Sequence, residues 1–533
     1  MNPVLGKART FVRRTKPEYV ALFIALVAVA LRVVHRAPTW QSSDAANLPD
    51  FVSQFVCRQR FDFAYLEELG LYRLGGVQPL VLYFQMVVLR ALHWHVTELT
   101  WESSQIVVSA ASTYAAFLFA REVGGAAAGL SAAALLSVTP LGISLGRHLG
   151  APWPYEEGFQ YLILFLLVAY LRRPERGLRV GFAVALAIYF WVGNQGLGVV
   201  PVVGYVLVAG FVELGGKESL AAFVRRRLTW WFALPAASLA LLFYCTFVLR
   251  RSHLYHALFH KRHTLGLYVA KWLDDAAADI GQSALYLAIA IVLLGVLAER
   301  RWLSQRHAPS MLCLAYAAPF WVAIPPGSTL TRGYVMYGVS ALLIAACVYA
   351  FSPRLREVRV PALLAVIAFV QVGSSLKSTY RVLDGKLFST LPFQGAYGGN
   401  NGIMSAAAWI RSRGPARGSV LSDASGGTGL EPSIIDMYLF RPSYGVNDAP
   451  SATFVYKEFS RYARHIEYVL VSPANHRLAQ TFFPGFARAL DVRDGRGGEL
   501  ILSVYAKGAT GKIETLDVHD GDAEFRTRHS MLC

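Results

Sequence analysis

Eleven apolar runs, each close to the roughly 17–25 residues that a helix needs to cross a bilayer, follow one another through the first 376 residues. They lie near 18–36, 103–120, 126–145, 157–171, 178–192, 196–214, 228–248, 281–298, 309–325, 334–351 and 358–376. Runs this frequent leave too little polar surface to face water, so a bilayer must be the solvent for much of the chain. Apolar residues make up 55% of the 533 and charged ones 16%. The first run follows Lys7, Arg9, Arg13, Arg14 and Lys16. No small-x-small cleavage site comes after it, and Arg32, His35 and Arg36 flank it. A retained helix is therefore predicted, not a cleaved signal.

The charges between the runs set the orientation. With the N-terminus in the cytoplasm, the inside turns carry Arg121; Arg172, Arg173, Arg176 and Arg179; Lys217, Arg225, Arg226 and Arg227; Arg300, Arg301 and Arg306; and Arg354, Arg356 and Arg359. The short outside turns carry only Arg147 and Arg332. That asymmetry follows the positive-inside rule. It puts three long stretches outside: 37–102, 249–280 and the tail from 377. The segment 78–95 is apolar enough to span, but counting it would invert every later basic turn. It is read as an interfacial helix, with Arg90, His93, Trp94 and His95 at the headgroups.

The net charge of +17 suggests nucleic acid until it is mapped. Residues 377–533 hold 18 Lys/Arg against 15 Asp/Glu, so nearly all the excess lies in turns between apolar runs. Such turns suit topology and anionic lipid, and no basic stripe interleaves with aromatics, so nucleic acid is not an expected partner. The five cysteines, Cys57, Cys245, Cys313, Cys347 and Cys533, form no CxxC pair and no disulfide framework.

Beyond residue 376 the pattern changes. Met404–Ile410 reads as an amphipathic helix, and 419–421, 467–471 and 500–505 read as strands, the last after the turn 493–498. The chain thus divides into a transmembrane region 1–376 (with the first outer loop 37–102 and the basic outer loop 249–280), an α/β domain 377–507 and a polar tail 508–533. Gly426-Gly427-Thr428-Gly429 lacks the Lys-Ser/Thr of a phosphate loop and is read as a plain loop.

Three places carry candidate chemistry. Asp44, in Ser42-Ser43-Asp44-Ala45-Ala46-Asn47 just beyond the first run, would be a base or metal ligand at the membrane face, or else the cap of a short helix. The turn 147–157 brings Arg147, His148, Glu156 and Glu157 together. The two carboxylates suit the positive end of the next helix, which alone would explain them. Facing Asp44 they would hold a divalent cation, while Arg147 and His148 bind a phosphate. The loop 249–280 carries Arg250, Arg251, His253, His256, His260, Lys261, Arg262 and His263, a basic surface for a phosphate-bearing lipid, and Arg332 lies near the same level.

On these residues the sequence resembles the GT-C glycosyltransferases. The likeness rests on Asp44 after the first helix, on Gln78-Pro79-Leu80-Val81-Leu82-Tyr83 opening an interfacial helix, and on Arg147, Glu156 and Glu157 after the run Ala-Ala-Ala-Leu-Leu-Ser-Val-Thr-Pro. It covers about residues 18–215. The plan is similar to that of protein O-mannosyltransferases and lipid A aminoarabinose transferases (glycosyltransferase family 39-like), and of oligosaccharyltransferase catalytic subunits. The tail has no Trp-Trp-Asp, which argues against the last, and there is neither an Asp-Glu pair at Asp44 nor an Asp-x-Asp in the second turn.

The resemblance implies an α-helical integral membrane protein of GT-C type, with about eleven transmembrane helices and a small C-terminal α/β extracytoplasmic domain. It implies a hexosyl- or pentosyltransferase in a plasma (bacterial inner) membrane, N-terminus cytoplasmic and C-terminal domain periplasmic or extracellular. A polyprenyl-phosphate-linked sugar would be the donor, and a glycan, lipid or protein the acceptor. Asp44, Glu156 and Glu157 would be catalytic residues or ligands of Mg or Mn, and Arg147, His148, Arg250, Arg251, Lys261, Arg262 and Arg332 would hold the donor phosphate. An O-antigen ligase or polymerase, or a transporter or flippase of lipid-linked sugars, is the competing expectation.

Overall fold

Helix boundaries in this chain fall where backbone chemistry puts them. The computed structural model describes residues 16–34, 88, 91–92, 98–146, 153–192, 198–214, 219–227, 233–243, 265–322, 330–383, 403–413, 419–422, 443–444, 451–494 and 498–518. Pro17 opens α1 (Pro17–Val34), where its missing N–H costs nothing, and Glu18 and Arg32 sit at the ends that favour their charges. After α2 (Glu98–Gly124) a single glycine, Gly125 at φ 91°, turns the chain into α3 (Ala126–Ser137). The expected run 126–145 is broken in the middle, because Pro140 has no N–H to continue it and starts α4 (Pro140–Gly146) instead.

There follow α5 (Trp153–Arg172), α6 (Arg176–Tyr189), α7 (Val199–Leu214), α8 (Leu220–Arg227) and α9 (Ala233–Phe243). The latter part of the expected basic loop 249–280 is helix α10 (Leu265–Ile280), amphipathic through Trp272, Ala276 and Ile280. Next come α11 (Gln282–Ala298), a 3-10 turn at Gln305–His307, α12 (Ala308–Val322), α13 (Leu330–Ala350), the short α14 (Pro353–Glu357) and α15 (Pro361–Leu383).

Packing arranges these around α13, every residue of which is buried from Val335 to Ala350. A helix buried on all sides is the centre of its bundle. Helices α11 and α12 flank it, and α2 packs on α5, α3 and α1. Close approach depends on small residues: a Cβ at Gly295 of α11 would overlap Tyr349 of α13. The bundle's outer surface is apolar, with Phe23 of α1 65%, Leu297 of α11 77% and Phe369 of α15 81% exposed. Large exposed apolar faces on many helices are what a hydrocarbon solvent allows and water does not. Among the described residues one helical segment, Ser103–Gly124, is by itself long and apolar enough to cross a membrane, and five shorter apolar helices accompany it.

The tail folds as a six-stranded sheet. Its strands are β1 (Ser419–Ser422), β2 (Ser443–Tyr444), β3 (Ile466–Val471), β4 (Phe486–Asp494), β5 (Leu500–Lys507) and β6 (Glu514–Val518). They lie in the order β2-β1-β3-β5-β4-β6. Parallel pairs at β2–β1–β3 and β4–β6 enclose the antiparallel ladders β3–β5 and β5–β4. Among the described residues three helices accompany the strands, α16 (Ile403–Ser412), α17 (Ala452–Ser460) and α18 (His476–Phe482). Val455 and Tyr456 of α17, Ala479 of α18 and Phe483 just after it pack with Val469, Phe486 and Tyr505 of the sheet as one core. The last strand, β6, lies within the stretch 508–533 that the sequence suggested to be a polar tail.

Candidate active site

The bundle is layered along its axis. In the first halves of α2, α5 and α13 polar side chains are buried among apolar ones: Gln105, Ser109, Ser112 and Thr113; Glu156, Gln160 and Tyr161; Tyr337 and Ser340. Further along the same three helices the buried side chains are almost wholly apolar. The opposite end gathers the basic turns. There Arg121 pairs with Glu18, Arg173 with Glu122 at 2.9 Å, Arg306 with Glu299 at 3.6 Å, and Arg354 donates to the carbonyl of Ala298 at 2.7 Å. One end thus carries exposed cations and the other a buried polar layer. Ionisable groups in a membrane interior are costly and point to function by default.

Two charges dominate that layer. Arg32 lies in the last turn of α1 yet is only 2% exposed. Its Nε donates to Ser109 Oγ of α2 at 2.8 Å, and its other nitrogens donate to the carbonyls of Ala28 at 3.0 Å and Gly142 of α4 at 3.3 Å. Gly146 leaves the room for this, since a Cβ there would meet Arg32 Nε at 2.7 Å. Glu157, in the first turn of α5, accepts a hydrogen bond from Ser112 Oγ at 3.2 Å. Arg32 and Glu157 line one small cavity together with Ser112, Thr113, Thr139 and Ser340. Its volume of about 10 Å³ is room for one water. A guanidinium costs about 2.5–3.5 kcal/mol at a bilayer centre, an upper bound for Arg32 at a helix end, and its three hydrogen bonds and the facing carboxylate offset that cost.

Glu156 and Glu157 are neighbours in sequence but have different partners. Glu156 is fully buried and accepts a hydrogen bond from the Tyr337 hydroxyl of α13. Tyr337 in turn packs on Tyr316, ring centres 5.1 Å apart. Beside the cavity, Tyr161 donates to Ser340 at 2.6 Å. Asp279 of α10, also buried, accepts the backbone N–H of Leu141 at 2.6 Å and so fixes the start of α4, the helix that leads to Arg147.

Of the residues singled out from the sequence, Glu156 and Glu157 lie in this layer, and Arg332 lies in the first turn of α13. Asp44, Arg147, His148, Arg250, Arg251, Lys261 and Arg262 fall outside the described residues, as do Asp50 and most of the segment 78–95. Among the described residues no three of His, Cys, Asp and Glu come together as a metal-binding group. Glu156 meets the Tyr337 phenol, and Glu157 meets the Ser112 hydroxyl. Sequence reasoning treated Arg32 as a flank of the first run and passed over Asp279. The signals were present. Ala21, Ala25 and Ala28 put Arg32 on the small-residue face of α1, and Asp275 precedes Asp279 by one turn on a helix face that is buried.

The fold of this chain is similar to that of solved ArnT and oligosaccharyltransferase structures. ArnT from Cupriavidus metallidurans bound to undecaprenyl phosphate superposes with a TM-score of 0.56 at 13% identity, over 93% of this chain and 100% of ArnT. The oligosaccharyltransferase AglB from Archaeoglobus fulgidus, in complex with an inhibitory peptide and a dolichol-phosphate, superposes with 0.55 at 13% identity, over 88% and 71% of the two chains. An Archaeoglobus fulgidus oligosaccharyltransferase in complex with Zn and sulfate gives 0.56 at 14% identity, over 92% of this chain and 73% of that one. No protein-family model and no curated protein matches the sequence.

Proposed function

We propose that this chain is a membrane glycosyltransferase that moves a monosaccharide from a polyprenyl-phosphate donor to an acceptor outside the cytoplasm. The observation that carries the reading is the buried polar layer around Arg32, Ser112 and Glu157 at one end of a GT-C bundle. The basic turns gather at the other end, which under the positive-inside rule makes the polar end the outer one. About eleven spans, a cytoplasmic N-terminus and an outer C-terminal domain complete the topology. Two solved proteins of the same fold hold undecaprenyl phosphate and dolichol-phosphate, which supports a polyprenyl carrier here.

The chemistry asks for a nucleophilic acceptor oxygen and a stabilised phosphate leaving group. Asp44 serves as base or metal ligand. Glu156 and Glu157 serve as further ligands or acceptor contacts. Arg147, His148, Arg250, Arg251, Lys261, Arg262 and Arg332 hold the phosphate. Where a divalent cation such as Mg or Mn is bound, it supplies charge neutralisation at that phosphate.

The direct test incubates the purified, reconstituted chain with a panel of radiolabelled undecaprenyl-phosphate sugars and asks which lipid is consumed. Wild type is expected to consume at least one. Asp44→Asn is expected to abolish that turnover while expression and monodispersity stay near normal. Consumption of no donor would sink the reading, and full activity of Asp44→Asn would return Asp44 to the role of a helix cap.

A further inference from the structure

Arg32 is a buried cation that the proposed chemistry has not used. It sits on the face of α1 that packs into the bundle, below Ala21, Ala25 and Ala28, and not on the face that carries Leu22, Phe23 and Leu26 outward. Its guanidinium is fixed on three sides, by Ser109, Ala28 and Gly142, so it is a rigid group tying α1 to α2 and α4. Across a cavity the size of one water lies Glu157, the one carboxylate among the described residues that line it. Ser112 holds that carboxylate from the far side, and its hydroxyl is itself oriented on the Ser109 carbonyl at 2.7 Å. Ser109 thus contacts both halves, through its hydroxyl to Arg32 and through its carbonyl to Ser112.

We propose that Arg32 is a positioning residue for Glu157: through the cavity and the Ser109–Ser112 step of α2 it fixes the place and direction of the carboxylate at the polar end of the bundle. A guanidinium cannot shed its charge, and a buried charge is kept only where an opposite one faces it. Glu157 supplies the opposite charge, and Arg32 supplies a fixed point from which the first turn of α5 is held. Any part Glu157 takes in transfer rests on the glycosyltransferase reading, whereas the pairing does not.

The test is a double-mutant cycle on the full-length chain with Arg32→Gln, Arg32→Lys, Glu157→Gln and Arg32→Gln/Glu157→Gln. It is read both as turnover of the undecaprenyl-phosphate sugar that wild type consumes and as thermal unfolding. Arg32→Gln is expected to lower kcat about a hundredfold and leave the donor KM within about threefold. Arg32→Lys should return to within about tenfold of wild type, and the double variant should be no slower than Glu157→Gln alone. Losses that multiply in the double variant would overturn the proposal. So would a lysine variant as slow as the glutamine one, or a loss seen in KM alone.

If wild type consumes no donor, the glycosyltransferase reading fails and the pairing is still decided by unfolding. A double variant less destabilised than the sum of the single ones supports it, and strict additivity overturns it. A chain lost on Arg32→Gln but recovered in the double variant also supports it, since no charge is then stranded. Loss of both overturns it.

Discussion

His476 opens α18 and lies against Tyr505 of β5, with Nδ1 2.8 Å from the phenol oxygen. Arg488 stands nearby, held by two hydrogen bonds to Asp491, which also accepts from Ser503 at 2.8 Å. Burial first, and then the Arg488 charge, hold the imidazole below its ordinary value of 6.5, against a weaker opposite pull from Asp491. The unfolded chain therefore binds a proton at His476 more readily than the folded one. This contribution to stability is complete above about pH 6.5 and is lost as the pH falls through the lowered value. Amide protection of β4 and β5 in the full-length chain, corrected for intrinsic exchange, should fall between pH 7.5 and 5.5, and His476→Gln should flatten that fall. An unchanged slope in the variant would assign the acid sensitivity elsewhere. At this scale the sequence was only half legible. The carboxylates Glu156 and Glu157 announced themselves by adjacency, but which neighbour each would face depended on Tyr337 and Ser112, far along the chain. Arg32 reads as a topological charge because its burial is decided far along the chain, by the room at Gly146 and the carbonyl of Gly142.

Among elements, the apolar runs were legible because hydropathy and length are local properties. The break at Pro140 was legible in principle, from the ring that removes a donor. Strand β4 was not: Phe-Ala-Arg-Ala-Leu-Asp-Val-Arg-Asp alternates poorly, and its ladder has a register shift between Arg488 and Leu490. A bulge of that kind defeats a search for period two. Tertiary contact between elements is equally nonlocal. Gly295 reads as an ordinary small residue in an apolar helix, yet it is what lets α11 approach Tyr349 of α13. Gly295→Val should push the two helices apart and cost about 1–3 kcal/mol, seen as a lowered unfolding temperature in detergent. Gly204→Ala on α7, where an added Cβ meets nothing within 4 Å, serves as the control. It should be neutral or slightly stabilising, by up to about 1 kcal/mol. Equal effects at the two sites would mean that α11 and α13 do not pack at Gly295.

For the whole molecule, the net charge of +17 resolves into geometry: basic turns at one end of the bundle, a buried polar layer at the other. In the proposed orientation the basic turns face the cytoplasm. A reporter active only outside the cytoplasm, fused after Lys507, is therefore expected to be active, and an inactive fusion on an intact, inserted chain would reverse the orientation. Gly125 alone joins α2 to α3, and α3 has 12 residues, so it rises only about 18 Å against a hydrocarbon thickness of about 30 Å. Helix α4 supplies the rest of that run only after the break at Pro140, so α3 leans on its neighbour. It is held because Gly129 lies flush on Phe117 and Arg121 of the preceding helix. A side chain at 129 is therefore expected to loosen α3 from α2, and with it the one-residue corner at Gly125.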